Sequence, residues 1–150
     1  MPEVLIEPAG EADTTAIYEF LQKSGLPVDG LRSHLATTLV ARREGCIVGT
    51  VALEVYPDGG LLRSVAVDAS LRGHGLGHRL IEAAIGHAQA RGLPALYLLT
   101  TTAEAFFPRF GFVRVARDQV PASVRQSEEF TTACPASAVV MCRTIEAPEA

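Results

Sequence analysis

Residues 61–92 read LLRSVAVDASLRGHGLGHRLIEAAIGHAQARG, and this stretch organises the reading of the whole chain. An apolar run, 61–67, ends at Asp68. A loop follows, then Arg72-Gly73-His74-Gly75-Leu76-Gly77. From about His78 the apolar residues Leu80, Ile81, Ala84, Ile85 and Ala88 recur on one helical face. Gly92 stops that helix and Pro94 prevents its return. The unit is strand, glycine-rich turn, helix. Glycines let backbone approach a ligand with no Cβ in the way. The first N–H groups of a helix have no partner within it, and the helix dipole places partial positive charge there. Such a turn binds phosphate, and Arg72 adds a charged donor. The plainer alternative is a tight connection whose glycines serve packing alone.

The spacing narrows the ligand. A P-loop needs Gly-Lys-Ser/Thr, which is absent. A dinucleotide fingerprint needs G-x-G-x-x-G, but counting from Gly73 the third glycine falls on His78, and from Gly75 on Leu80. What stands here is R-x-x-G-x-G, residues 72–77. It resembles the pyrophosphate loop of the GCN5-related N-acetyltransferase (GNAT) superfamily, which cradles acetyl-coenzyme A. Val65-Ala66-Val67-Asp68 is similar to the strand whose backbone pairs with the pantetheine arm in that superfamily.

The bounds agree. One hundred and fifty residues suit a single domain, 1–150, with a sizeable core. The chain is 48% hydrophobic and 20% charged, an ordinary globular balance. No apolar run approaches the ~18 residues of a membrane span, and MPEVLIEPAG lacks the basic and apolar regions of a signal peptide. A net charge of −4 without a basic patch argues against nucleic acid as a partner. Cys46, Cys134 and Cys142 show no metal spacing and read as free thiols in a reducing cytoplasm. Cys134 reads as a small buried hydrophobe rather than a reactive thiol. Neither a metal nor a membrane is expected.

Taken in order, residues 4–7 form a first strand, and Asp13 caps a helix carrying Ala16, Ile17, Phe20 and Leu21. Residues 26–35 form a loop or short helix. Strands 38–43 and 46–56 flank a Glu44-Gly45 turn, and the turn 57–60 leads into the central strand. Residues 95–100 are a buried strand, parallel to 61–67 because a helix connects them. A helix over 101–110, with Ala105 and Phe106 inward, ends at Gly111 and is followed by a strand at 112–115. Pro121 opens a helix to Phe130, residues 138–145 make a last strand, and 146–150 fray.

This order resembles the GNAT fold over most of the chain. It implies an α/β (α+β) architecture: a mixed sheet of about seven strands, flanking helices, and a V-shaped split between the fourth and fifth strands. Residues 105–112, AFFPRFGF, resemble the superfamily motif F-Y-x-x-x-G-F. Three stretches in the C-terminal half, 96–112, 120–130 and 134–141, are similar to the arsenic-resistance N-acetyltransferase-like branch. They also resemble, more distantly, the acetyltransferase domain of bacterial N-acetylglutamate synthase. The implied function is transfer of an acetyl group from acetyl-coenzyme A to the amine of a small amino-acid-like acceptor, extending to arsenic- or phosphorus-containing analogues in arsenic resistance. The alternative is a catalytically degenerate, acetyl-coenzyme A-binding regulator. A homodimer stays open.

The implied mechanism is direct attack by a neutral amine on the thioester, with backbone N–H groups of the central strand stabilising the oxyanion. The coenzyme-binding candidates are Val65, Ala66, Val67, Arg72, Gly73, His74, Gly75, Leu76, Gly77, His78, Thr100 and Phe107. The superfamily often places a tyrosine acid at the position of Phe107. Phenylalanine donates no proton, so only packing near the sulfur carries over. Thr100, Thr101 or Thr102 is left to donate a hydrogen bond, unless these threonines serve only strand propensity and capping; Thr101 is the catalytic candidate. Glu54 interrupts an apolar strand and is the candidate base, unless alternation turns it to solvent. Arg63 interrupts the next strand and needs a counter-charge. That charge is either Glu54, as a structural ion pair, or an anionic group of the acceptor. Ser64, His34 and Ser137 complete the acceptor-side candidates, with Arg125 a lesser one. The glutamate-acetylating relatives carry an arginine–serine pair near the last strand, whereas residues 134–137 here read Cys-Pro-Ala-Ser, which matches the serine and not the arginine.

Overall fold

The computed structural model describes residues 3–101, 103–133 and 137–145. Seven strands form one mixed sheet: β1 Leu5–Pro8, β2 Thr38–Arg43, β3 Cys46–Tyr56, β4 Gly59–Val67, β5 Ala95–Thr100, β6 Val113–Val115 and β7 Val139–Thr144, in the order β1-β2-β3-β4-β5-β7-β6. β1 to β4 pair antiparallel, β4 and β5 pair parallel, and β7 lies antiparallel between β5 and β6. The parallel step follows from the crossover helix α2, Leu76–Ala90.

Strand alternation assigns the two faces. Leu39 and Ala41 of β2, and Val51 and Leu53 of β3, pack under α2 against Leu80, Ile81, Ala84 and Ile85. Val40 and Ala52 turn the other way, to α1, Thr14–Lys23, meeting Ile17 and Leu21. On that second face another apolar cluster, around Leu61, Tyr97, Val120 and Val124, lies toward β5 and β7. By the same alternation Glu54 shares the face of Ala52.

The opening in the sheet has two causes. β4 carries a bulge: Thr50 pairs with Ala66 and Ala52 with Arg63, so Ser64 and Val65 together oppose Val51. Ser64 sits at φ 58, a left-handed conformation uncommon for a residue with a side chain. Its carbonyl accepts a 2.7 Å hydrogen bond from buried Thr50 Oγ1, which holds the bulge. Pairing with β5 is confined to Gly60–Leu96 and Leu61–Tyr97, so residues 62–67 run on without β5 beside them.

Several local expectations need correction. β4 begins at Gly59, not Leu61, and α2 at Leu76, two residues early, because Gly75 at φ 80 serves as its N-cap. Asp13 stands at the N-cap of α1 without capping it. Its carboxylate instead accepts from the Gly10 N–H at 2.8 Å and from Arg42 at 2.6 Å. That ionic contact with Arg42 holds the Asp13 carboxyl below the usual carboxylate range. The helix expected over 101–110 is a turn plus one short 3-10 segment, Phe107–Phe110. Thr100 Oγ1 accepts the Ala103 N–H at 2.9 Å and turns the chain before a helix can start. Phe107 and Phe110 point inward there, while Ala105 is exposed. The helix expected over 121–130 is cut to α3, Ala122–Arg125, followed by a π-type turn at Glu129–Ala133. Thr102, Cys134 and the tail 146–150 lie outside the described residues, whereas Cys46 and Cys142 are free thiols. No helix among the described residues is long and apolar enough to cross a membrane.

Candidate active site

The splayed edges of β4 and β5 enclose a cleft of about 310 Å³. Arg63, Ser64, Thr100, Thr101, Phe107 and Glu129 are among its walls. A strand edge left without a neighbour presents unpaired N–H and C=O groups, a template for an extended amide-bearing chain. Val65 lines the cleft, and Val67 already lines a second hollow of about 390 Å³ at the glycine turn. The two hollows thus follow one strand.

The second hollow has the chemistry that suits a phosphate. Gly73 and Gly75 have φ 85 and 80, and a Cβ at either would meet no atom within 4 Å. The backbone there is open toward the solvent side. No side chain caps α2, so its leading N–H groups face the turn. The Arg72 side chain is tethered by a 3.3 Å bond from Nε to the Val67 carbonyl. These residues fit the diphosphate of a coenzyme. Arg109 lies across the hollow, its guanidinium 5.0 Å above the Phe106 ring. It is a cation that the reading of the turn passed over, because it belongs to a different segment. His78 lines this hollow as well and lies 3.7 Å from Glu82, while His74 is exposed and is not among the lining residues.

At the other end, charge is buried. Arg63 is 4% exposed and Glu54 1%. Arg63 Nη1 lies 3.0 Å from Glu54 Oε2 and 2.6 Å from the Asp29 carbonyl, and Nη2 lies 3.2 Å from the Pro27 carbonyl. Nε lies 3.1 Å from Glu129 Oε1 and 3.2 Å from Ser64 Oγ. At least four of the five guanidinium N–H groups thus have acceptors. The ion pair of Arg63 with Glu54 is present, and a second carboxylate joins it. Little of the fork remains for bidentate capture of an acceptor carboxylate.

Glu54 does not turn to solvent. Residues 27–37 and the segment around Glu129 roof its face of the sheet. Tyr56 donates its hydroxyl to Glu54 Oε1, and His34 Nε2 lies 3.5 Å from the same oxygen. Burial, with the Glu54 carboxylate beside it, pushes the Tyr56 hydroxyl well above the usual phenol range, so it stays a donor. Burial lowers the proton affinity of His34, against the pull of Glu54, and favours the neutral ring. The roof needs close approach: Gly30 has φ 73, and a Cβ there would fall 2.6 Å from Glu128 Cγ.

The candidates therefore separate. Arg63, Ser64, Thr100, Thr101 and Phe107 are brought together at the cleft, and Glu54 and His34 lie behind Arg63. Ser137 is exposed and lines a different hollow beside β6, and Arg125 is exposed, so neither is part of this cleft. Glu129 was missed. Its approach to Arg63 depends on the π-type turn that replaces the expected helix, and the hint in the sequence was an arginine on an apolar strand in need of a counter-charge.

Residues 5–112 match the family described as Acetyltransferase (GNAT) family. The chain is 38% identical over 81 residues to an amino-acid acetyltransferase of Mycobacterium tuberculosis, covering 53% of this chain and 46% of that protein. It is 34% identical over 98 residues to an amino-acid acetyltransferase of Ralstonia nicotianae, covering 64% and 22%. It thus spans less than half the length of these relatives. Among solved structures, N-acetylglutamate synthase from Neisseria gonorrhoeae, complexed with coenzyme A and N-acetyl-glutamate, superposes with a TM-score of 0.82 at 21% identity, over 97% of this chain and 36% of that one. Rv2747 from Mycobacterium tuberculosis, in complex with CoA and NLQ, superposes with a TM-score of 0.79 at 25% identity, over 95% and 99%.

Proposed function

Since the chain belongs to the acetyltransferase (GNAT) family, we propose that it moves an acetyl group from acetyl-coenzyme A to the amine of a small amino-acid-like acceptor. The observation that carries this reading is the continuity of the two hollows. The glycine turn offers helix N–H groups and Arg72 to a diphosphate. The unpaired edge of β4 leads from there to a cleft with polar groups at its inner end. Acetyl-coenzyme A supplies the activated acyl group. The chain's own residues hold the coenzyme's length along β4 and pack Phe107 beside the reacting end. They also place the acceptor in line, which alone removes several kcal/mol of barrier. The bulged backbone at Ser64–Val65 is the candidate donor to the developing oxyanion.

The amino-acid acetyltransferases among the relatives support the acceptor class. An arsenic- or phosphorus-containing amino acid is the finer form of the same proposal. It rests on the resemblance of residues 96–112, 120–130 and 134–141 to the arsenic-resistance branch. The missing tyrosine at Phe107 suggests that the thiolate leaves without a protein acid, in keeping with a thiol pKa of about 8.5. A thiol-release assay with acetyl-coenzyme A tests the whole reading against L-amino acids, their phosphinic and arsonic analogues, and polyamines. Turnover on an amino acid is the expected result. Tight coenzyme binding with no turnover on any amine would favour a regulator instead.

A further inference from the structure

Two carboxylates approach the guanidinium of Arg63, and they do not stand in equivalent places. Glu54 is enclosed by Arg63, Tyr56 and His34, and is not among the groups that line the cleft. Glu129 lines the cleft with Ser64, Thr101 and Phe107, although only 6% of its surface is exposed. Its backbone N–H donates to Ser127 Oγ at 3.1 Å, and its carboxylate lies 3.1 Å from Arg63 Nε. The carboxylate that pairs with Arg63 thus belongs to a residue of the cleft wall, which Glu54 does not.

We propose that Glu129, rather than Glu54, is the carboxylate that meets the acceptor's amine and takes its proton, with Glu54 a positioning residue that holds Arg63. This rests on the acetyltransferase reading above. The acceptor arrives as an ammonium ion and is drawn to the carboxylate by charge. Removal of the ammonium from water lowers its proton affinity, which narrows the gap to a carboxylate. The proton passes to Glu129, directly or through one water, and then to solvent. The nitrogen lone pair forms the C–N bond to the acetyl carbon. The C–S bond breaks, and its electron pair leaves with sulfur as the thiolate. The nitrogen gives up its second proton to that thiolate or to water as the intermediate collapses, so amide and thiol result and charge and protons balance without any other reactant. Arg63 of β4 is a charged group in contact with Glu129. Glu54, Tyr56 and His34 lie beyond it, and Thr101 stands across the cleft.

The test compares Glu129→Gln, Glu129→Asp and Glu54→Gln in the full chain. Each is assayed for thiol release with acetyl-coenzyme A and L-glutamine, L-glutamate or L-methionine, whichever turns over best with the wild type. Coenzyme affinity is measured by calorimetry and folding by thermal melting. Glu129→Gln is expected to lower kcat by about 100-fold, the scale of a lost proton acceptor. Its coenzyme affinity should hold within about twofold, and the acidic limb of the pH–kcat/KM profile should vanish. Glu129→Asp should restore part of kcat together with that limb. Glu54→Gln should shift the melting temperature more than it changes the profile. If Glu129→Gln keeps the wild-type profile, or if the limb vanishes in Glu54→Gln instead, the assignment is overturned. No turnover by the wild-type protein on any amine of the wider panel would overturn both this proposal and the acetyltransferase reading. Wild-type turnover that is indifferent to Glu129→Gln would overturn this proposal alone.

Discussion

The two ends of the cleft are built on opposite principles. The glycine-turn end, proposed to hold the coenzyme, is made of backbone. Gly73 and Gly75 take left-handed conformations, α2 presents uncapped N–H groups, and the surrounding side chains are mostly exposed or half-buried. All of its central parts lie within residues 65–78. The acceptor end is made of side chains: Glu54 from β3, Arg63 from β4, Glu129 from the π-type turn, and the carbonyls of Pro27 and Asp29 from a loop. A backbone site tolerates change in its neighbours because each peptide group supplies its own donor. A buried charged site does not, because removal of one partner strands another in low dielectric. On the proposed function, the backbone end would hold the coenzyme and the side-chain end would select the acceptor.

The hardest blow to this contrast is at Arg63. Arg63→Met would leave Glu54 and Glu129 buried without their shared cation. The expected loss is about 3–5 kcal/mol, which lowers the melting temperature by roughly 10 °C or more in a domain of this size. Adding Glu54→Leu should recover part of the loss, since the pair is coupled. A near-wild-type melting temperature for Arg63→Met would erase the distinction between the two ends.

The matching change at the coenzyme end is Gly75→Val. A β-branched residue at φ 80 carries a strain of about 1–3 kcal/mol, and its side chain would point where the phosphate belongs. Acetyl-coenzyme A affinity should fall by at least ~10-fold, with a smaller change in melting temperature than at Arg63. Calorimetry on the folded variant decides this, and unchanged affinity would remove the glycine turn from the site.

The smallest effect sharpens the contrast by pH. The folded protein binds a proton at His34 less readily than the unfolded chain, because burial opposes the charge. The unfolded state therefore takes up more protons as pH falls through the ordinary histidine value of 6.5, and stability drops in that window. Above it the contribution is flat. His34→Gln should flatten that part of the stability–pH curve, measured by denaturant midpoint. A curve as steep as that of the wild type would show that some other group titrates there.

Legibility in the sequence follows the same division. The sheet was readable because apolar runs and short turns repeat locally, and the crossover helix fixed the parallel step. Arg63 and Glu54 announced themselves as charges within apolar strands, and their contact was one of two readings. The length of the segment after β5 was misread. Thr100 spends its hydroxyl on the Ala103 N–H, and that single hydrogen bond outweighs a weak helical pattern. Ser137, read from the sequence as an acceptor-side residue, lies beside β6, on the far side of β7 from the cleft.

The sequence by itself determined the strand–turn–helix unit, the glycine-rich turn of residues 72–77 ahead of a helix, and the presence of a buried arginine in need of a counter-charge. Each depends on interactions within a few residues, where spacing dictates geometry. Only the tertiary structure decided which carboxylate faces the cleft. That choice depends on the bulge at Ser64, on the approach of Gly30 to Glu128, and on the turn that carries Glu129. These elements are far apart in the chain, and they meet because burial of the apolar faces around them leaves one place for the charges to pair.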